Sequence, residues 1–227
     1  MRADGERKRA LIYDTALALF REKGFDATTM RDIAKSAGIS LGSAYHYFPS
    51  KVAIVFAYYE EVQDAHEERV RKKLPRTDGL LERLTLVFET KLELVRRDRQ
   101  LLGAIGATLV QPGNELSAFS VEGRDFLQRS VALFDAALEP LATTPEARRT
   151  MALLLWTAHL GMMLRLVHDD SRGQKRTKSL VSRALTMAVP LLQLAATPMG
   201  AGLLAQLRSL LEENGLMPLP EETLSEG

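Results

Sequence analysis

The chain contains no cysteine. That excludes a disulfide framework and any thiolate metal site, and it suits a reducing cytoplasm. It also has almost no net charge: 30 Lys and Arg face 29 Asp and Glu, for a formal +1. The chain as a whole therefore does not advertise affinity for nucleic acid. Long hydrophobic runs are missing too. The longest apolar stretch, Met151–Val167, is interrupted by Thr157, His159 and Arg165. A membrane span needs about 20 mostly apolar residues, so a buried helix is expected there and no membrane partner. No export signal is visible, because the apolar segment behind the N-terminus is broken by Tyr13, Asp14 and Thr15. No serine or cysteine sits in a nucleophile motif, no glycine-rich phosphate loop occurs, and no His/Glu cluster has metal spacing. No enzyme, no metal site and no cofactor are expected.

What is present is an ordinary globular composition, 46% hydrophobic and 26% charged over 227 residues. That length accommodates one large domain, or one small and one medium domain. The charge is unevenly placed: residues 1–51 hold nine Lys/Arg against six Asp/Glu. Apolar residues recur at helical spacing almost throughout, and no segment alternates as a half-buried strand does, so the fold class is all-α. Ile12, Ala16, Leu19 and Phe20 mark a first helix over Glu6–Lys23, closed by Gly24. Val52, Val55, Phe56, Tyr59 and Val62 mark another, from near Ser50 to about Leu74. Pro75–Gly79 is a turn-rich break and the expected domain boundary. Further helices are expected over Leu81–Val95, Arg99–Val110 (stopped by Pro112-Gly113), Leu116–Leu138, Pro145–His168, Lys175–Ala196 and Met199–Asn214. The expected organisation is a three-helix domain over 1–51, a connecting helix over 52–74, a helical domain over 75–214, and a flexible tail over 215–227.

The informative stretch is 28–51. Thr29 with Asp32 three residues on has the form of a capping box that opens a short helix. Gly38 permits a sharp turn, Ser40 caps the next helix, and Pro49 stops it after Tyr47. Two short helices joined by a tight glycine-containing turn form a helix-turn-helix, whose second helix fits a major groove. Ser40, Ser43, Tyr45 and Tyr47 carry hydroxyls that bond phosphates, Lys51 adds a point charge, and Gly42 leaves room for a sugar–phosphate backbone. Arg31 suits either a guanine edge or a phosphate. Each has an alternative: the serines cap helices, Phe48 and Tyr45 pack a small core, and Arg31 and Lys51 are solvated charges.

In order and spacing these residues resemble the tetracycline-repressor (TetR) family of bacterial regulators over about residues 6–60. The resemblance is carried by the first helix ending at Phe20–Phe25, by Ala27-Thr28-Thr29, Ile33-Ala34 and Ala37-Gly38-Ile39-Ser40, and by Tyr45-His46-Tyr47-Phe48-Pro49-Ser50-Lys51. It implies a homodimer whose recognition helices enter successive major grooves of a palindromic operator. Thr29, Ser40, Ser43, Tyr45, Tyr47 and Lys51 would then hold phosphates, with Arg31, Leu41, Gly42 and His46 at or near base edges. Position 41, polar or basic in many members, is Leu here, which can touch a thymine methyl but donates no hydrogen bond.

Beyond residue 60 the resemblance fades. Met151–His168 is apolar nearly all round, so it is covered on more than one face. Either it runs through the centre of one monomer, or with the helix over 175–196 it pairs across a dimer, as the family resemblance implies. Leu160, Leu164, Leu185 and Leu192 are the candidate contacts. A largely apolar small-molecule effector is expected in this domain, with Phe88, Leu92, Phe126, Trp156, His159, Met163 and Arg165 as candidate ligand-binding residues and Phe119 and Met162 beside them. The alternative is plain core, with Arg165 paired to Glu89, Glu93 or Asp135. His168-Asp169-Asp170 suggests a metal less well than a histidine at a helix C-terminus. The leading reading is a cytoplasmic, ligand-released repressor. A ligand-independent regulator, an activator, and a helical carrier or enzyme are the other classes.

Overall fold

A computed structural model describes residues 2–99, 101–103 and 123–216. Among the described residues there is no strand, and the fold is all-α. Residues 101–103 are helical. The rest of the helix expected over 99–110, the Pro112-Gly113 stop, the expected start at Leu116, Phe119 and the chain beyond Leu216 lie outside the described residues.

The chain packs as two compact units. One comprises Met1–Val62 and Val95–Gly123, the other Gln63–Leu94 and Arg124–Gly227. The first contains helices α1 (Arg2–Lys23), α2 (Met30–Ser36) and α3 (Leu41–Tyr47), and the start of α4 (Lys51–Lys73). Its core is formed by Ile12, Ala16 and Phe20 of α1, Ile33 and Ala34 of α2, Ala44 of α3, Phe48, and Ile54, Val55 and Tyr58 of α4. Leu101 joins that core. Asp98 explains why residues after α5 belong to this unit. Its buried carboxylate accepts Arg21 Nε at 2.5 Å and the Tyr58 hydroxyl at 3.1 Å. The Pro75–Gly79 break is a local turn, whereas the division in packing falls at Val62 and Gln63, within α4.

The second unit contains the rest of α4, the 3₁₀ turn Leu74–Arg76, α5 (Leu80–Val95) to Leu94, α6 (Gly123–Ala137), α7 (Pro145–Val167), α8 (Lys175–Ala195) and α9 (Pro198–Glu213). Leu84, Val87, Phe88, Leu133, Phe134 and Leu138 are fully buried or nearly so. The helix α7 is long and apolar enough by composition to cross a membrane. Met151, Ala152, Leu153, Leu155 and Trp156 are instead buried inside the unit, as expected of a core helix. Thr144 caps its first turn and Pro145 takes the first position, where a missing N–H costs nothing.

Candidate functional site

The residues between α1 and α4 build a surface whose inner half is a packed core. Gly24 ends α1 with φ +88°, a left-handed value that glycine adopts without strain. Thr29 then caps α2. Its Oγ accepts Asp32 N–H at 3.1 Å, and the Asp32 carboxylate accepts Thr29 N–H at 2.9 Å, which completes the capping box. The Thr29 hydroxyl also donates to Asp32 at 2.7 Å. In the free protein Thr29 is thus a helix cap whose one donor hydrogen is already engaged. Gly38, with φ +67°, makes the turn, and Ser40 Oγ accepts Ser43 N–H at 3.1 Å to start α3. That leaves the Ser40 hydroxyl proton available.

Only Ala44 of α3 is fully buried. Arg31, Ser40, Gly42, Tyr45 and His46 are exposed, and Leu41, Ser43 and Tyr47 are half-buried. Thr29, Met30, Arg31, Leu41 and Tyr45 line a shallow cleft of about 250 Å³ between α2 and α3. Tyr47 packs edge-on against His46, with ring centroids 5.1 Å apart. Phe48 lies in the core under Tyr13 and the Arg9 guanidinium. Lys51 differs from the others: its Nζ donates to the Phe25 carbonyl at 2.6 Å and sits 4.4 Å from the centre of the Phe25 ring. Burial lowers its pKa, with Asp26 opposing. Two ammonium hydrogens remain for a second acceptor.

The second unit gathers the candidate ligand residues less evenly. Phe88, Leu92, Trp156 and His159 are buried, whereas Phe126, Met163 and Arg165 are half-buried. Among the described residues no ion pair joins Arg165 to Glu89, Glu93 or Asp135, and Asp135 is taken by Arg148 at 2.9 Å. The Asp169 carboxylate is not arranged as a metal ligand. It accepts Thr177 N–H and Thr177 Oγ–H at 2.7 Å and both Ser171 donors, which ties the loop to the start of α8.

The polar interior of this unit was not anticipated. Lys91 Nζ and Ser130 Oγ both donate to Gln63 Oε1, at 2.9 and 3.0 Å, and Gln63 Nε2 donates to Glu67 at 3.1 Å. Arg129 spans Glu67 and Asp64. Burial pushes Lys91 down to about 8 against the opposing charge of Glu67. His66 is pushed down to about 3, chiefly by burial and then by Lys91, and burial likewise drives His159 well below its ordinary value. Helical spacing was the available signal, since His66 lies four residues after Val62, on the apolar stripe of α4.

These histidines make stability depend on pH in a defined direction. Unfolded histidine titrates near 6.5, so below that value the unfolded chain binds protons that the folded rings refuse. Stability is fully present above about pH 6.5 and falls as the pH drops toward the folded pKa, about 3 for His66, by up to about 1.4 kcal/mol per pH unit for each histidine. Urea unfolding of the wild-type chain is expected to require less denaturant at pH 5 than at pH 7. Equal midpoints would show that the rings are not buried neutral.

The exposed second helix, its capped partner and the tight glycine turn define a helix-turn-helix domain. Residues 12–58 match the family model described as "Bacterial regulatory proteins, tetR family". Over those residues the chain carries a TetR-family helix-turn-helix domain. It is 39% identical over 88 residues to the HTH-type transcriptional repressor KstR2 of Mycobacterium tuberculosis, a match covering 39% of this chain and 44% of that protein. The chain thus spans less than half the length of the first curated relatives it matches. Among solved structures, FadR of Thermus thermophilus in complex with lauroyl-CoA aligns with TM-score 0.60 and 25% identity, over 78% of this chain and 93% of that one. FadR of Bacillus halodurans aligns with TM-score 0.64 and 19% identity over 78% and 94%, a likeness of fold.

Proposed function

We propose that the chain is a homodimeric, cytoplasmic transcriptional repressor that binds a two-fold symmetric DNA operator and releases it when a largely apolar small molecule occupies the second unit. It is a binding protein and not an enzyme. The observation that carries this reading is α3, which packs through Ala44 and leaves Ser40, Gly42, Tyr45 and His46 exposed beside Arg31. Phosphates are held by Ser40, Ser43, Tyr45, Tyr47 and the free hydrogens of Lys51, whereas Arg31, Leu41 and His46 lie at base edges. Thr29 joins them only by releasing Asp32. The repressor KstR2 and the acyl-CoA-bound Thermus protein support regulation by a ligand.

Dimerisation is supported by the apolar strip on α7, where Leu154, Ala158, Gly161 and Leu164 are exposed, and by Leu180, Met187 and Leu191 on α8. Exposed apolar side chains clustered on two helices favour an interface there. Leu160 and Leu192 are half-buried, and Leu185 is turned into its own unit, 1% exposed, so it is not a contact. Leu164, 51% exposed, is the residue to test. Leu164→Glu places a charge against its symmetry mate and is expected to yield folded monomers, read by sedimentation. A dimer unchanged by that substitution puts the interface elsewhere.

A ligand moves the DNA equilibrium only by preferring one state of the protein. A lipid extract of the host is expected to lower operator affinity by about 5- to 150-fold, and operator DNA to weaken ligand uptake equally. A protein–DNA complex indifferent to the extract, with no small molecule recovered from the purified protein by mass spectrometry, contradicts ligand release.

A further inference from the structure

Inside the second unit, two histidines from different helices lie beside each other, with the Lys91 charge near both. His66 of α4 is 1% exposed and His159 of α7 is 4% exposed. Their ring centroids are 6.3 Å apart. Phe88 and Phe134 pack edge-on against His159 at 5.1 and 5.6 Å. Among the described residues, neither His66 Nδ1 nor His159 Nε2 has a hydrogen-bond partner. Buried polar atoms are nearly always paired, so these orphans on neighbouring rings call for a partner.

The chemistry of that partner follows from the one bond His66 makes. Its Nε2 lies 2.9 Å from the Val87 carbonyl. A carbonyl only accepts, so Nε2 carries the hydrogen and Nδ1 presents a lone pair. The group that meets it must therefore donate to His66 Nδ1. Such a group can accept in turn where His159 Nε2 carries its hydrogen. A hydroxyl does both, whereas an ether, ester or thioester oxygen only accepts and leaves the His66 lone pair buried and unmet. A carboxylate has the same defect.

We propose that His66 and His159 form the polar end of the effector site in the second unit, and that the molecule it takes is an alcohol on an apolar body. This rests on the reading of the second unit as a ligand domain. Both rings stay neutral at neutral pH, because burial and the nearby Lys91 charge oppose protonation. Lys91 itself donates to Gln63 and is not part of the pair.

Two isomers test the assignment on the full-length wild-type chain: 1-decanol, and nonyl methyl ether, which has the same atoms but no O–H. Trp156, the only tryptophan, lies one helical turn from His159 and reports binding by its fluorescence. Decanol is expected to bind about ten- to a hundredfold more tightly than the ether. His66→Leu should reduce that preference to about twofold or less. A two-bond ¹H–¹⁵N spectrum of the wild-type protein needs no variant. The unprotonated His66 nitrogen should be Nδ1, and its signal should shift with decanol and not with the ether. Equal affinities, no detectable binding of decanol up to its solubility, or an unmoved Nδ1 signal overturns the site. Operator release is read separately. If decanol binds selectively but DNA affinity is unchanged, the site stands and ligand release fails; if both isomers release DNA equally, the reverse holds.

Discussion

Gly42→Asp is expected to leave the protein folded and to lower its operator affinity on the order of 100- to 1000-fold. Gly42 is the second residue of α3 and is exposed, and a side chain built there meets no atom within 4 Å. The backbone there is helical, so replacing glycine by aspartate removes a helix penalty of only about 0.3 kcal/mol. A carboxylate in the first turn also suits the helix dipole, by about 0.3–1 kcal/mol. The unfolding midpoint should therefore stay the same or rise. In the proposed complex the same carboxylate would face phosphates, and like charges brought together at an interface cost several kcal/mol. Raising the salt should narrow the gap, since the repulsion is screened. Retained operator affinity in a folded Gly42→Asp protein would remove α3 from the DNA.

Arg83→Met is expected to destabilise the second unit by about 3–5 kcal/mol. Arg83 is 8% exposed, on the inner face of α5. Its Nε donates to Ala137 O at 3.0 Å, Nη1 to Leu74 O and Thr77 O at 3.1 Å, and Nη2 to Ala136 O at 2.7 Å. Ala136 and Ala137 end α6, and Leu74 and Thr77 lie in the turn after α4, so one guanidinium closes carbonyls that helix geometry leaves open. The contact to Glu139 at 3.4 Å adds little, because that carboxylate is largely exposed. Methionine fills similar space and donates nothing, so several buried carbonyls lose their partner together. With about 2–4 °C lost per kcal/mol in a chain of this size, the melting midpoint should fall by about 10 °C. Arg83→Lys should recover only part of it, since one ammonium does not reproduce the planar fork. A midpoint lowered by less than about 2 °C would mean that Arg83 does not hold these helix ends.

The first unit was legible because its signals are local. A capping box, a turn glycine, a Ser N-cap and a stopping proline lie within about twenty residues, and each fixes a backbone conformation wherever the rest of the chain goes. Thr29 shows the limit of that reading: the same spacing that marks the cap engages its one donor hydrogen with Asp32. Lys51 shows another, since its bond to the Phe25 carbonyl joins residues 26 apart. Apolar periodicity also found the helices of the second unit, and it marked Phe88, Trp156 and His159 as inward. It could not pair them. The grip of Arg83 on α6 spans 54 residues, and Asp98 reaches back 77 residues to Arg21. The approach of His66 and His159 likewise depends on how α4 and α7 pack, which no local pattern encodes. Charge is especially opaque, since Arg83 and Lys91 look like surface residues until their acceptors are in view.

In the proposed complex α3 reads DNA as one half of a two-fold pair. Selection of binding sequences from a random duplex pool by the purified full-length chain tests it most directly, followed by affinity measurements over a range of salt. The expected result is a motif with two-fold symmetry, half-sites about one helical turn apart or slightly more, and an affinity that falls steeply and linearly in the logarithm of salt concentration. Enrichment of no sequence, or binding indifferent to salt, would contradict it.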